Sequence, residues 1–310
     1  MTRRLPSPVL VVLAACLFGT IGTARVLGPD APAAGVGAAR MLGAAVGLGL
    51  LAALSRGSTA VSWRAEVRRP QTLLAGVAQA LFQLTFLGAV VRTGVAVGTL
   101  VAIGSAPVIA GAVSRRVSRG WAVATAIAVT GLALLVLGGG GTRLSAGGVA
   151  LAIGAGASYA GYTLATAGAL DDGAEPGVTA AVAFGVAGLA LSPALLVTDV
   201  GWLGSTSGLL MVAYLAVVPT VLGYRLFTAG LGGVAPATAS TLALAEPVVA
   251  TVLGVALLGE RLGWIGTAGA ALVLAGLVLA ARDAVVRPRP DLPAPEAAAR
   301  GAALQPGADA

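Results

Sequence analysis

Ionisable side chains inside apolar segments are the first candidates for chemistry in this sequence of 310 residues. Glu246 is the only acid well inside a long apolar run. A charge at the middle of a membrane costs about 2.5–3.5 kcal/mol on insertion scales, so it needs a partner, water or a proton. We interpret Glu246 as a site for proton coupling or for a substrate amine, with a helix–helix hydrogen bond beside Pro247 as the structural alternative.

Two arginines raise a similar choice inside other apolar runs. Arg40 could bind a carboxylate through a bidentate contact, pair with an acid of the fold, or extend to the outer surface. Arg225 either contributes to a ligand site or extends toward the inner face. Pro107 and Pro247 each remove a backbone hydrogen bond, so they are predicted to interrupt their helices and to line a central site. The alternative is a kink that only shapes the packing.

Four aromatic residues lie at depths where a ligand could reach them: Phe18, Tyr159, Tyr162 and Tyr224. Their ring faces suit an organic cation or an aromatic ligand, although aromatic residues at helical spacing more often only pack. The sequence contains no His, which excludes a Ser–His–Asp arrangement. We therefore predict no catalytic residue, no metal site and no cofactor.

The elements that must position these residues are membrane-spanning helices. The sequence is 57% hydrophobic and only 10% charged, whereas a soluble domain usually carries about 25% charged residues. Lipid is therefore the expected solvent, and continuous apolar runs do not fit alternating β-barrel strands. Ten apolar runs of about 20 residues are predicted to span the membrane. They lie near residues 8–27, 32–54, 71–91, 94–113, 121–137, 147–169, 176–198, 207–227, 234–258 and 263–281.

The distribution of arginine predicts the orientation in the membrane. All 19 basic residues are arginine, and with the N-terminus in the cytoplasm thirteen of them lie in inner regions. Only Arg92, Arg143 and Arg261 lie in outer loops. Because cytoplasmic loops carry an excess of basic residues, both termini are predicted to face the cytoplasm, with the protein in the plasma membrane. Short arginine groups between apolar runs do not predict a nucleic-acid partner.

The two halves of the sequence resemble each other. Ala106-Pro107-Val108 corresponds to Glu246-Pro247-Val248, and Trp121 and Trp264 open the fifth and tenth runs. A duplicated unit of five helices inserts its second copy upside down, an architecture that recurs in secondary transporters. The predicted fold is all-α, a polytopic membrane protein of ten helices in two inverted repeats. Its segments are a cytoplasmic N-terminus (1–7), a first repeat (8–138), a glycine-rich link (139–146), a second repeat (147–281) and a disordered cytoplasmic tail (282–310).

Short motifs in the second half carry a family resemblance. They are Thr220-Val-Leu-Gly-Tyr224, Ala239-Ser-Thr-Leu-Ala-Leu-Ala-Glu246-Pro247-Val248 and Leu258-Gly-Glu-Arg-Leu262, followed by Trp264 and Gly266. Through them the chain resembles the EamA family of the drug/metabolite transporter superfamily, over nearly residues 8–281, with a more degenerate first half. The resemblance implies a ten-helix transporter of metabolites, amino acids or drugs, commonly acting outward. Arg225 departs from the family, in which an apolar residue is usual there.

These features predict a secondary transporter that works by alternating access. Spans one to four and six to nine would surround a cavity at the membrane midplane, with spans five and ten outside it. The favoured function is export of a small molecule, with proton exchange as an option. The expected partners are this small-molecule substrate and the lipid bilayer, and a homodimer is one possible assembly.

Two other functions remain open from the sequence. Asp171-Asp172-Gly-Ala-Glu175 resembles an acidic motif with which membrane enzymes hold Mg²⁺ on a lipid diphosphate. Such an enzyme needs a second acidic cluster, and the sequence offers none, so these charges are more simply solvated. A membrane scaffold without transport activity is the other alternative.

Overall fold

The computed structural model describes residues 5–54, 60–114, 117–138, 145–259 and 261–286, and all regular elements in these ranges are helical. The α-helices are α1 (Ser7–Phe18), α2 (Thr20–Leu27), α3 (Ala33–Ala53), α4 (Ala60–Glu66), α5 (Pro70–Ser114), α6 (Arg119–Leu137), α7 (Ala146–Asp171), α8 (Pro176–Leu191), α9 (Ala194–Val197), α10 (Thr206–Leu215), α11 (Gly223–Leu231), α12 (Pro236–Leu242), α13 (Ala245–Leu258) and α14 (Trp264–Val286). A 3₁₀ turn (Gly201–Gly204) precedes α10, and a π-helical segment (Ala216–Leu222) joins α10 to α11. The predicted all-α class is confirmed.

Lipid is the solvent that this helical fold requires. Within the described ranges, nine helical segments are long and apolar enough to cross a membrane. Only a third to a half of each segment is buried inside the protein, at 33–50% of residues. Large apolar side chains cover the remaining faces, as at Leu74, Leu189 and Leu210. The chain is therefore a polytopic membrane protein.

The long helix α5 contains the third and fourth of these segments, Pro70–Val95 and Val97–Ser114. At Gly94 the backbone leaves the helical region, with φ of 80°. Because L-residues with a side chain rarely adopt this conformation, glycine is what permits the reversal. The third and fourth predicted spans, 71–91 and 94–113, are therefore joined by a reversal at Gly94.

The helix α7 is a further long helix, which runs beside the third span. A Cβ at Gly148 would lie 2.4 Å from the Thr93 side chain, whereas Asp172 at the other end accepts a hydrogen bond from Gln71. The helix α7 thus runs antiparallel to Pro70–Val95 along its full length. It falls outside the nine apolar segments because it is rich in Gly, Ser, Thr and Tyr, which lower its mean hydropathy. Ten spans, with α7 as the sixth, remain a prediction.

The helices pack in the pattern that an inverted repeat requires. The first span packs on the eighth (α1 on α11), the second on the seventh (α3 on α8), and the fifth on the tenth (α6 on α14). The third and fourth spans pack on the sixth (α5 on α7). The first span also packs on the ninth (α1 on α12 and α13). With this contact included, an exchange of spans one to five with six to ten maps the set of contacts onto itself. We call the end of the bundle where α1 begins the inner end, since it is predicted to face the cytoplasm, and the opposite end the outer end.

Glycine allows α6 and α14 to pack backbone against backbone. A Cβ at Gly131 would lie 2.5 Å from the Val273 nitrogen, and one at Gly269 would lie 2.3 Å from the Leu135 nitrogen. Such close contact of small residues is a common way to associate helices in lipid. The fifth and tenth spans therefore form a pair on one side of the bundle, away from the aromatic residues at its centre.

Several predicted features lie outside the described residues. The glycine-rich link falls mostly on 139–144, the N-terminal segment includes 1–4, and the predicted tail includes 287–310. The described part of that tail, residues 282–286, is helical and ends α14. The helix thus continues five residues beyond its predicted end at residue 281.

Candidate functional site between the two halves

A cluster of aromatic side chains fills the centre of the bundle. Its six members come from the first, sixth, seventh and eighth spans and are all buried: Phe18, Tyr159, Tyr162, Phe184, Tyr224 and Phe227. Tyr224 lies at its middle, with ring centroids 4.7 Å from Phe18 and 4.4 Å from Phe184. The structure thus brings all four aromatic residues predicted from the sequence into one cluster.

Nearly all the smaller aromatic residues of the chain take part in this cluster. Phe82 of the third span lies 6.0 Å from Tyr159 and 5.5 Å from Phe86, which extends the cluster toward the outer end. The sequence has only five Phe and four Tyr, and Tyr214 alone stands apart. In a chain built from Ala, Leu, Val and Gly, the rings are therefore concentrated where the two halves meet.

Several polar groups in this centre have no partner. Gln79 donates a hydrogen bond of 3.2 Å to the Tyr224 hydroxyl, but its own carbonyl oxygen has no donor. The hydroxyls of Tyr159 and Tyr162 also lack hydrogen bonds within the described residues. Because buried polar groups are nearly always hydrogen-bonded, such groups in the membrane interior mark a place for water or a ligand.

Arg40 and Glu246 come from different halves but share one electrostatic environment. The guanidinium of Arg40 interacts with Glu246 and with Tyr224. Both side chains are only partly buried, and neither makes an ion pair or hydrogen bond with any described residue. A cation and an anion close to the cluster therefore remain available to a ligand.

The first span lies directly against this region because two glycines permit it. A Cβ at Gly19 would lie 2.6 Å from the carbonyl oxygen of Glu246, and one at Gly223 would lie 2.6 Å from the Phe18 ring. No side chain fits in either place without displacing its neighbour. Gly19 therefore positions the backbone of Glu246, and Gly223 positions Phe18 against the eighth span.

The ninth span is interrupted at residues 243–244, three residues before Pro247. Helix α12 ends at Leu242 and α13 begins at Ala245. In a continuous helix the Pro247 nitrogen would donate to the Ala243 carbonyl, but proline has no N–H. That carbonyl instead accepts a hydrogen bond of 3.0 Å from the Glu246 N–H. The missing donor thus tightens the turn at Glu246.

The equivalent proline in the fourth span does not interrupt its helix, in contrast to the prediction. Pro107 lies inside Val97–Ser114, and the only non-helical residue of α5 is Gly94. A single missing hydrogen bond can be absorbed within a membrane helix when its neighbours remain bonded. A second irregularity occurs instead in the eighth span, in the π-helical segment around Pro219, one turn before Tyr224. Such π-helical turns occur frequently at functional sites.

Arg225 is separated from the centre. Its side chain is exposed and lines a cavity of about 200 Å³ together with Glu175 and Ala229. This cavity lies at the inner end, where the seventh span begins. This position agrees with the interpretation that Arg225 extends toward the inner face.

The acidic segment at residues 171–175 is held by protein contacts. Asp172 accepts a hydrogen bond of 2.7 Å from Gln71 and lies 3.8 Å from Arg69. Glu175 caps α8 by accepting a hydrogen bond of 2.7 Å from the Val178 nitrogen. Within the described residues no group of acidic, His or Cys side chains is arranged to hold a metal ion. The geometry thus gives these acids structural roles.

Sequence reasoning missed two amides of the third span. Gln79 reaches Tyr224, and Gln83 lies one helical turn further toward the outer end, with its amide nitrogen 3.9 Å from the Met41 sulfur. Two glutamines four residues apart share one helix face. Their presence in an otherwise apolar run was the signal that could have identified this face as part of the centre.

Comparisons with known proteins agree with this architecture. The model of the EamA-like transporter family matches residues 146–282. The uncharacterized transporter YwfM of Bacillus subtilis (strain 168) is 38% identical over 275 residues, which cover 87% of this chain and 91% of that protein. A crystal structure of another protein has a TM-score of 0.74 at 19% identity, covering 90% of this chain and 97% of that one, so the two share a fold. This chain belongs to the EamA-like transporter family.

Proposed function

We propose that this protein is a secondary transporter that exports a small organic solute by alternating access. Membership in a transporter family supports the general activity. The contact pattern of the helices supports two inverted repeats that could rock against each other. The proposed location is the plasma membrane with both termini in the cytoplasm, as the arginine distribution favours. We include a homodimer in this proposal as an assembly to be tested.

The observation that carries the proposal is the unpaired state of Arg40 and Glu246. A charge in the membrane interior is normally neutralised by a fixed partner. Here the two charged groups interact electrostatically but form no ion pair, and both keep some exposed surface. Arg40 is suited to a carboxylate or another anionic group of the solute. Glu246 is suited to a solute amine or to a proton.

The aromatic cluster and the two charged groups differ in depth and in burial. Tyr224 and Phe227 lie in α11, the part of the eighth span nearest the inner end, whereas Arg40 lies in the outer half of α3. The rings are buried and the two charged groups are partly exposed. The centre is thus packed more closely around the rings than around the two charged groups.

The solute can be identified and the site tested in one experiment. Metabolites that accumulate in the medium only when cells express the protein are identified by untargeted metabolomics, and their efflux rates are then measured. Loss of a charge-assisted contact is expected to lower the efflux rate in Arg40→Gln by about tenfold or more. Arg119→Gln is the control, since Arg119 is exposed at the start of the fifth span. Equal rates in Arg40→Gln and the control would refute the site.

Proton coupling is tested separately through Glu246. If this carboxyl group takes up and releases a proton in each cycle, the efflux rate depends on external pH. Glu246→Gln keeps the size and removes the ionisation, so its efflux should become slow and independent of pH. Efflux in Glu246→Gln that follows the parent's pH profile would exclude the coupling role and leave the transporter proposal intact.

A further inference from the structure

A buried carboxylate links the two halves at the inner end. Glu66, the last residue of α4, is only 3% exposed. One of its oxygens accepts hydrogen bonds from the hydroxyls of Thr72 and Thr179, the latter at 2.9 Å. Its other oxygen accepts a hydrogen bond of 3.2 Å from the Arg69 guanidinium. Thr179 belongs to the seventh span, so the second half donates directly to an acid of the first.

A second contact between the halves lies beside this carboxylate. Asp172, at the end of α7, accepts a hydrogen bond of 2.7 Å from the Gln71 amide. The guanidinium of Arg69 lies 3.8 Å from Asp172 while it bonds to Glu66. Arg69 thus bridges an acid of each half, and the two contacts form one continuous network.

We propose that this network is a latch that holds the inner end closed and separates whenever the central site opens to the cytoplasm. The latch consists of Glu66, Arg69 and Gln71 of the first half and Asp172 and Thr179 of the second, whereas Thr72 binds Glu66 within the first half only. The inference rests on the alternating-access transport proposed above, since a latch needs two conformations. It adds a determinant of the cycle that lies outside the solute site.

The bonding pattern allows this latch to open without leaving a buried charge unpaired. When the halves separate, Glu66 keeps its hydrogen bonds from Thr72 and Arg69, because all three belong to the first half. The single hydroxyl proton of Thr179 can then donate to the Glu175 carbonyl, which lies 3.0 Å away. Asp172 is already half-exposed and can be hydrated. Only the bonds between the halves are lost, so the link is reversible, whereas a buried pair split in two would not be.

The interior behind the latch is closed in this conformation. Thr228, in α11 near the inner end, is fully buried, and its hydroxyl has no hydrogen bond within the described residues. A cysteine in its place has a similar size and retains a weak donor in its S–H group. Thr228→Cys is therefore a suitable reporter of opening, after the single native cysteine has been removed as Cys16→Ala.

The test measures the rate of maleimide labelling of Thr228→Cys in the purified full-length protein in lipid nanodiscs. Thr179→Val keeps the shape of the side chain and removes the bond between the halves, so labelling should accelerate by about tenfold. Thr179→Ser should restore the parent rate. Thr72→Val is the matched control, because it removes a bond to the same Glu66 oxygen within the first half. Its labelling rate should stay within about twofold of the parent.

Two results would overturn the latch: labelling of Thr179→Val at the parent rate, or equal acceleration by Thr72→Val. If Thr179→Val does not fold, Asp172→Asn decides instead, because Asp172 is exposed and its change leaves the core intact. Acceleration in Asp172→Asn supports the latch and an unchanged rate refutes it. Labelling needs no solute, so its rate can be measured whether or not efflux is detected. A failed efflux experiment would refute the proposed transport and leave the labelling result standing. Unchanged labelling would refute the latch and leave the transport proposal standing.

Discussion

The inner and outer ends of the bundle are joined by different chemistry at corresponding positions. At the inner end, Glu66 lies between the second and third spans and binds Thr179. At the outer end, Trp202 lies between the seventh and eighth spans and packs with Val36 in an apolar cluster. Thr179 and Val36 are each the fourth residue of their helix. The predicted repeat therefore places a hydroxyl on a carboxylate at one end and an aliphatic group on an indole at the other.

This difference indicates how each end opens. A hydrogen bond weakens steeply once its geometry departs from ideal, so the inner end is expected to open in a single step. Apolar contact is non-directional and falls in proportion to the area exposed, so the outer end is expected to loosen gradually. The two ends of a nearly symmetric fold thus need not have equal stability. If the transporter is to cycle, the free energy of solute binding must offset the difference in stability between the two ends.

The largest expected effect comes from removing the indole at the outer end. Trp202 is only 7% exposed and packs with Met211 and Leu215. Trp202→Ala should lower the free energy of unfolding by about 3–5 kcal/mol, because it deletes a large buried side chain. Trp264→Ala is the control, since Trp264 is 81% exposed. Both are measured by thermal unfolding in detergent.

The same variants test whether the two ends are independent. Trp202→Ala should leave the labelling rate of Thr228→Cys at the inner end unchanged, because no contact of Trp202 reaches the latch. If Trp202→Ala accelerated this labelling as much as Thr179→Val does, the ends would be one cooperative unit and the comparison between them would fail.

An intermediate effect is expected from the carboxylate at the inner end. Glu66→Ala removes three hydrogen bonds, but Thr179 can then donate to the Glu175 carbonyl and Arg69 remains near Asp172. The expected loss of unfolding free energy is therefore about 1.5–3 kcal/mol, the value of one bond to a charged group and less than the loss at Trp202. A loss as large as that of Trp202→Ala would show that the polar end is the stronger clamp.

The sequence predicts the architecture better than it predicts these two links. Apolar run length is set by the thickness of the membrane, so the spans and the turn near Gly94 follow directly from it. Glu66 lies among arginines in a loop and resembles a solvated charge until its contact with Thr179, 113 residues away, is known. The tertiary contact, and no local pattern, gives Glu66 its role. Trp202 was missed for the same reason.

The centre was predicted in part because membrane burial makes charge conspicuous. Arg40 and Glu246 could be named from the sequence, since an ionisable residue in lipid is rare. Gln79 was missed because an uncharged amide attracts less attention in an apolar run. Pro107 was predicted to interrupt a helix by analogy with Pro247, but the same missing N–H has different consequences in two surroundings. Whether a proline interrupts its helix depends on which neighbouring N–H can donate to the freed carbonyl.

The smallest expected effect tests the correspondence between the two ends most directly. Val36→Thr places at the outer end the residue that the inner end carries at Thr179. Thr has nearly the shape of Val, and in a helix its hydroxyl can bond to the carbonyl four residues earlier, so the loss of unfolding free energy should be about 1 kcal/mol.

Gly37→Ser is the control, because a Cβ at Gly37 has no neighbour within 4 Å. The side chains that cluster with Val36 and Trp202 are apolar, so we expect the new hydroxyl to create no latch and to leave the labelling of Thr228→Cys unchanged. If Val36→Thr instead stabilised the protein, the outer end would contain a polar acceptor, and the contrast between a hydrogen-bonded inner end and an apolar outer end would be wrong.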